Sequence, residues 1–134
     1  MAYWLVKSDP DEYSFHDLTR DKKTLWTGVR NYAARNHLKA MAKGDEVLVY
    51  HSNDDKAVVG IAKVSKTAVQ DPTTTEDAWV AVELQATKLV KNPVTLAAMK
   101  KEPTLANIGL IKIGRLSVMP VTDEEFARIL EMSK

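Results

Sequence analysis

The chain has 134 residues, a hydrophobic fraction of 45%, a formal net charge of +1 and no cysteine. That length fits one domain over 1–134 with enough apolar material for a core, and the lack of thiols excludes disulfides and thiolate chemistry. No cleavable signal and no apolar run long enough to span a bilayer is read, so the expectation is a cytoplasmic protein, nucleoid-associated or free, with no membrane partner.

Tyr3-Trp4-Leu5-Val6-Lys7 predicts a first strand, and Ser8-Asp9-Pro10-Asp11 ends it with turn residues. Ser14 is placed to cap a short helix through Asp17 and Leu18. The stretch Thr24 to Asn36 then sets Trp26 and Gly28 just ahead of a second helix, for which Asn31 is the N-cap. In that helix Ala34, Leu38 and Met41 recur at helical spacing and face the core, and Lys43-Gly44-Asp45 closes it. Glu46 to His51 and Ala57 to Val64 predict a hairpin around the polar turn Asn53 to Lys56. A third strand from Trp79 to Leu89 carries Val80, Val82, Leu84 and Ala86 on one face. Short helices around Thr95 to Lys101 and Thr104 to Asn107 follow, then a last strand from Arg115 to Met119. The capping-box pattern Thr122-Asp123-Glu124-Glu125 opens a final helix that turns Phe126, Ile129 and Leu130 inward. Strands outnumber helices, which suits an α+β fold with a small, strongly bent sheet or barrel and helices outside it.

Charge is sorted along the chain. Lys22 to Gly44 holds six Lys or Arg and no Asp or Glu, and residues 87–121 hold six basic side chains against Glu102 alone. Residues 1–21 and 45–86 are acidic in balance. If the two basic segments meet in space they form one patch for an anion; the alternative is solvated faces without a partner.

An aromatic ring and hydrogen-bonding groups beside a cationic segment suit a flat, polar, anionic ligand, a nucleobase on its phosphate backbone. A base swung out of its stack loses its neighbours, and an aromatic face returns roughly 1–3 kcal/mol per base. Trp26 reads as that platform or as a core tryptophan, whereas Trp4 and Trp79, among apolar strand neighbours, read as core. Gly28 allows a positive φ or a close backbone approach, or simply makes a turn. The peptide groups of Gly28, Val29 and Arg30, with Ser8, Asn31 and Ser52, offer donors and acceptors for a Watson–Crick edge, although capping explains Asn31 equally well. Arg30 and Arg35 suit a phosphate at the helix entrance or a salt bridge to an acidic segment. Lys112 and Arg115 of the second basic segment are candidates for further phosphates. Strand alternation puts His51 on one face and Tyr50 and Ser52 on the other, so both faces end in polar groups where a pocket mouth can sit. His51 then contacts a base or phosphate, or is structural. His16, His37 and His51 are too scattered for a metal site, and neither metal nor cofactor is expected.

Tyr3 to Pro10, Trp26 to Asn36, Tyr50-His51-Ser52-Asn53, Asp71-Pro72-Thr73, Arg115 to Val118 and Pro120-Val121 resemble, in order and over nearly the whole chain, the EVE domain family. The resemblance implies a PUA-like pseudo-barrel of about five or six strands with short helices outside, related to YTH domains, that takes one modified base into an aromatic pocket. In YTH readers a Lys-Ser pair ending the first strand and a later tryptophan build part of an aromatic cage, and Lys7, Ser8 and Trp26 stand at matching positions. The family implies methylated or hydroxymethylated cytosine or methylated adenine, in DNA ahead of RNA. The pocket so expected comprises Lys7, Ser8, Trp26, Gly28, Val29, Asn31, Tyr50, His51 and Ser52, with Arg30, Arg35, Lys112 and Arg115 on phosphates. Asp9, Thr27 and Ala33 replace the Glu, Asp and Gln usual in the family. Thr27 and Ala33 flank the pocket loop, so base preference is the property they bear on. The related ASCH domains include hydrolases, and Lys7 with Asp9 or Glu83 is the nearest equivalent of a base and its partner. No nucleophile elbow, phosphate-cradling glycine loop or paired catalytic carboxylates are present. The expectation is therefore a non-catalytic reader of nucleic acid carrying a modified base, with an ASCH-like hydrolase of a modified nucleoside as the alternative.

Overall fold

A computed structural model describes residues 2–134. Its strands are β1 Tyr3–Ser8, β2 Lys23–Leu25, β3 Glu46–His51, β4 Ala57–Gln70, β5 Val80–Thr95 and β6 Val118–Val121, and its helices are α1 Phe15–Asp21, α2 Tyr32–Ala40, α3 Leu96–Lys100, α4 Gly109–Lys112 and α5 Asp123–Met132. All the strands join one sheet in the order β2-β5-β4-β3-β1-β6. Only β1 and β3 run parallel; the other pairs are antiparallel. The sheet is open, with β2 and β6 as its edges, so the expected PUA-like architecture is present without hydrogen bonds closing a barrel.

Burial explains the middle of the sheet. Trp4, Leu5 and Val6 of β1 and Val47, Leu48 and Val49 of β3 are buried in succession, which an alternating, half-solvated strand would not allow. Helices supply the cover: Ala34 and Leu38 of α2 and Phe126 and Ile129 of α5 turn into the core as their spacing predicts. Each of these helices starts where a side chain takes up a free N–H. Ser14 and Asp17, and likewise Thr122 and Glu125, form reciprocal capping boxes, and Asn31 Oδ1 accepts from Ala34 N at 3.0 Å. Asp45 ties β1 to the end of α2, accepting from Trp4 Nε1 at 3.0 Å and from Ala42 N at 2.9 Å. Burial alone would raise its pKa, but the hydrogen bonds hold it below the ordinary value.

Several elements differ from their sequence expectation. β2 is too short to show any periodicity and exists because Lys23, Thr24 and Leu25 pair with Gln85, Leu84 and Glu83. β4 and β5 run past Val64 and Leu89, since their polar extensions remain paired as a long ribbon whose register shifts at several bulges. The helix expected at Thr104 to Asn107 is a 3-10 turn at Pro103–Leu105, followed by the unanticipated α4, and the last strand begins at Val118 rather than Arg115.

Gly60 sits at one of these bulges against the ring of Phe15. A Cβ there would lie 2.5 Å from Phe15 Cε1 and Cζ, and the ring is only 1% exposed, so it has no room to retreat. Gly60→Ala is expected to cost about 1–3 kcal/mol through overpacking. Urea unfolding should show a lower midpoint with an unchanged slope.

Candidate functional site

Three segments converge where β1 ends. β1 contributes Lys7 and Ser8, the turn after it contributes Tyr13, and β2 leads into the loop 26–31 that enters α2. Between them lies a cleft of about 460 Å³ walled by Lys7, Ser8, Tyr13, Trp26, Val29 and Arg30. Its charge is mixed, because Asp9 and Glu12 also border it. Ser117 lies in the wall as well, and its carbonyl accepts from Lys7 N at 2.9 Å.

Trp26 is positioned by its backbone. Leu25 pairs with Glu83, and Trp26 N donates to Val82 O at 2.8 Å, so the indole is carried on the sheet rather than on a free loop. The ring is 9% exposed, with Tyr13 edge-on at 6.3 Å between centroids and 85° between planes. Trp26 is thus a core side chain and a cleft wall at once. Ser8 Oγ donates to Tyr13 O, and Tyr13 Oη donates to Asp21 Oδ2 at 2.9 Å, which fixes the second aromatic.

A buried acid holds the loop after Trp26. Asp71 Oδ2 accepts from Gly28 N at 2.9 Å and Arg30 Nη1 at 3.0 Å, and Oδ1 accepts from Thr73 N at 2.8 Å and Thr73 Oγ1 at 2.6 Å. Burial by itself would raise the Asp71 pKa, but the hydrogen bonds from Thr73, Gly28 and Arg30 outweigh it and lower the value to about 2. Gly28 takes φ +81°, which a residue with a side chain adopts only with strain, and its N–H thereby reaches the acid. Among the described residues, the N–H groups of Thr27, Val29 and Arg30 meet no protein acceptor, which leaves three donors in the stretch that walls the cleft.

Arg30 also donates from Nη2 to Thr73 Oγ1 at 3.0 Å, and its guanidinium lies 5.6 Å from the centre of the Trp79 ring. Tyr32 packs against Trp79 with ring centres 5.0 Å apart and planes tilted by 31°, and Arg35 lies 4.9 Å from the centre of Tyr32. Beside the cleft two adjacent rings are thus flanked by a guanidinium at each end. Arg35 further donates to Asn36 Oδ1 at 2.9 Å and to Ala78 O at 3.3 Å.

The other residues expected at the site lie outside this cleft. Asn31 is the α2 N-cap. His51 is buried: its Nε2 accepts from Phe15 N at 3.0 Å, which leaves the ring proton on Nδ1 facing Asp55 Oδ2 at 3.0 Å. Both nitrogens are therefore occupied by structure. Ser52 pins the end of β1 by donating from its backbone to Ser8 O at 3.0 Å, and Tyr50 and Ser52 border a neighbouring cavity that also includes Lys7. Lys112 and Arg115 are exposed, Arg115 two residues before Ser117. Glu83 lies in β5, accepting from Ser65 Oγ at 2.8 Å, and does not border the cleft. Lys7 does, but its Nζ donates to Gly114 O at 2.7 Å and burial lowers its pKa. Among the described residues no group of three or more His, Cys, Asp or Glu could hold a metal ion.

Tyr13, Ser117, Asp9, Glu12 and above all Asp71 complete the site without having been assigned to it as pocket residues. The Asx-turn chemistry of Asp71-Pro72-Thr73 is a visible signal. That its carboxylate reaches a loop 43 residues away is not.

The sequence profile of the EVE domain matches residues 2–132. Thymocyte nuclear protein 1 of Homo sapiens is 33% identical over 167 aligned residues, covering 99% of this chain and 74% of that protein. A solved protein of Rhodopseudomonas palustris superposes with a TM-score of 0.94 at 46% identity, over 99% of this chain and 93% of the other. Human THYN1 in complex with DNA containing 5-methylcytosine superposes with a TM-score of 0.92 at 32% identity, over 100% of this chain and 98% of that one. An ASCH protein of Zymomonas mobilis, at 12% identity and a TM-score of 0.62, shares the fold alone.

Because the folded pKa of Asp71 is about 2 against an ordinary 3.8, its contribution to stability is full above pH 4 and is lost as pH falls through 2. The loss should amount to about 2 kcal/mol. Asp71→Asn is expected to be less stable than the parent at neutral pH and to lose less on acidification. Denaturant unfolding of the two proteins between pH 6 and about pH 2 measures the difference, and parallel curves would exclude Asp71 as the titrating group.

Proposed function

The chain belongs to the EVE domain family, and from that premise we infer that it is a non-catalytic reader of modified bases in DNA, accepting an extruded base against Trp26. The observation that carries the reading is the indole of Trp26, held on the sheet yet open to a cleft whose loop offers three unpaired N–H donors. THYN1, a relative solved with DNA containing 5-methylcytosine, favours methylated cytosine as the base.

The chemistry of the walls is consistent with a cytosine. Its O2 and N3 require donors, which the free N–H groups of the loop provide, and its exocyclic amino group requires an acceptor, which Asp9 or Glu12 provides. A 5-methyl group gains from apolar wall such as Leu25 and Val29. One methyl in such a pocket is worth about 1–3 kcal/mol, so the preference for modified over unmodified base is tens-fold rather than absolute. The non-catalytic assignment is supported by Lys7, whose ammonium is engaged by Gly114 O; of the two acids read as its partner, Glu83 lies away from the cleft on β5 and Asp9 borders it.

Trp26→Ala removes a buried ring and is expected to cost about 3–5 kcal/mol of stability, so Trp26→Leu is the more informative variant. With the fold monitored by circular dichroism, Trp26→Leu should lower affinity for an oligonucleotide carrying 5-methylcytosine by about tenfold or more and bring it close to that for unmodified sequence. Fluorescence anisotropy measures both. A variant that discriminates as well as the parent would refute the platform, and turnover of a modified nucleoside by the parent would refute the non-catalytic reading.

A further inference from the structure

A second cavity, of about 340 Å³, shares Lys7 with the base cleft and is bordered by Tyr50, Ser52, Lys56, Lys100 and Gly114. Three of its residues are lysines and none is acidic. Among the described residues, lysine ion pairs are made by Lys66 and Lys134, so these three ammonium groups have no carboxylate partner. Gathering like charges without a counter-charge costs free energy that an anion would recover.

Two further observations point into the same space. Tyr50 stands beside Lys7 in the β1/β3 register, is 4% exposed, and its hydroxyl makes no hydrogen bond within the described residues. Since the only sealed polar side-chain atom without a partner among them is Arg128 Nε, the Tyr50 hydroxyl must reach solvent, and the cavity is its opening. A buried phenol with an unused donor suits an anionic oxygen. Lys56, on another wall, takes φ +41°, a conformation uncommon for a residue with a side chain, and is fixed there as its carbonyl accepts from Leu96 N at 2.7 Å.

We propose that this cavity is a phosphate subsite, in which Lys7, Lys56, Lys100 and the Tyr50 hydroxyl hold a backbone phosphate next to the nucleotide whose base enters the cleft. The proposal rests on the base-reading function, because it takes the strand to pass from one cavity to the other over Lys7. In the cleft Asp9 and Glu12 offset Lys7 and Arg30, and Arg30 is already paired with Asp71, whereas the second cavity holds lysines without an acid, which turns the charged backbone toward the lysines. A free phosphate or nucleotide would present the same chemistry, and the experiment separates the two sources.

The double variant Lys56→Gln/Lys100→Gln, and separately Tyr50→Phe, are titrated with oligonucleotides with and without 5-methylcytosine over a range of salt. The double variant should lower the slope of log K against log salt by about one and weaken binding about tenfold. Modified and unmodified strands should be affected alike, leaving their affinity ratio intact. Tyr50→Phe should weaken both strands with the slope retained. A double variant with the parental slope and affinity overturns the subsite, and if Trp26→Leu still abolishes discrimination, the base reading survives that failure. A parent that never discriminates overturns the base reading instead. Inorganic phosphate is then titrated against the parent and followed by the NMR signals of the Tyr50 ring. Saturable shifts that vanish in the double variant uphold an anion site, and their absence overturns it. Saturation by inorganic phosphate combined with an unchanged oligonucleotide slope overturns the strand assignment in favour of a free anion.

Discussion

The Asp71 carboxylate lies just past the end of β4 and accepts hydrogen bonds from Gly28, Arg30 and both donors of Thr73, so that it joins the loop before α2 to the turn between β4 and β5. That loop has no secondary structure of its own, and its conformation includes a positive φ at Gly28. Desolvating a carboxylate is expensive, and four hydrogen bonds with a guanidinium among them are what make it tolerable. The same bonds consume the N–H of Gly28 and leave those of its neighbours free. Donors in a loop are useful to a ligand only if they stay in place while empty, and Asp71 provides that order without occupying the cleft itself.

Arg30 shows how the arrangement divides its charge. Part of its guanidinium neutralises Asp71 and part lies over Trp79, while the side chain remains 39% exposed. It is both a structural ion pair and a solvent-facing cation, so the two roles read for it from the sequence are compatible. The sorted charge of the chain resolves in the same way. The near-neutral total conceals Asp9 and Glu12 at the cleft, lysines around the neighbouring cavity, and the Arg30 to Arg35 row beside both aromatic rings.

What the sequence made legible was local. Ser14, Asn31 and Thr122 all cap helices as read, because a cap needs only a side chain and the N–H groups that follow it. Core faces set by period, such as Ala34 and Leu38, were equally readable; Met41 is also buried, but as the extended residue that ends α2 earlier than read. β2 was not, since three residues carry no period and the strand exists through its partner. At the site, Lys7 and Ser8 at the end of β1 and Trp26, Gly28 and Val29 just after β2 line one cleft, although the two strands are not neighbours in the sheet. His51 and Asn31 stand apart because they are engaged within the fold, His51 by the N–H of Phe15, 36 residues away, and by the Asp55 carboxylate, and Asn31 Oδ1 by the N–H of Ala34. Polar residue type at a strand end indicates a place for hydrogen bonding, but not which partner arrives first.

As the proposed base platform, Trp26 links the energetics of folding to those of recognition. Its burial against the sheet makes the platform rigid, and a rigid platform loses little entropy when a base arrives. Stacking, however, is nearly indifferent to the identity of the base, and a single methyl contact supplies only about 1–3 kcal/mol. On the proposed reading selectivity comes from the polar edge and the methyl wall, which a base meets only when it is seated on the ring, so that losing the ring loses discrimination as well, while most of the affinity for a charged strand comes from cations outside the cleft. The mixed charge of the cleft fits that separation: acids beside the base can read an amino group only if the phosphates are held elsewhere. On that reading the two tasks fall to different residues, with Lys7 lining both cavities.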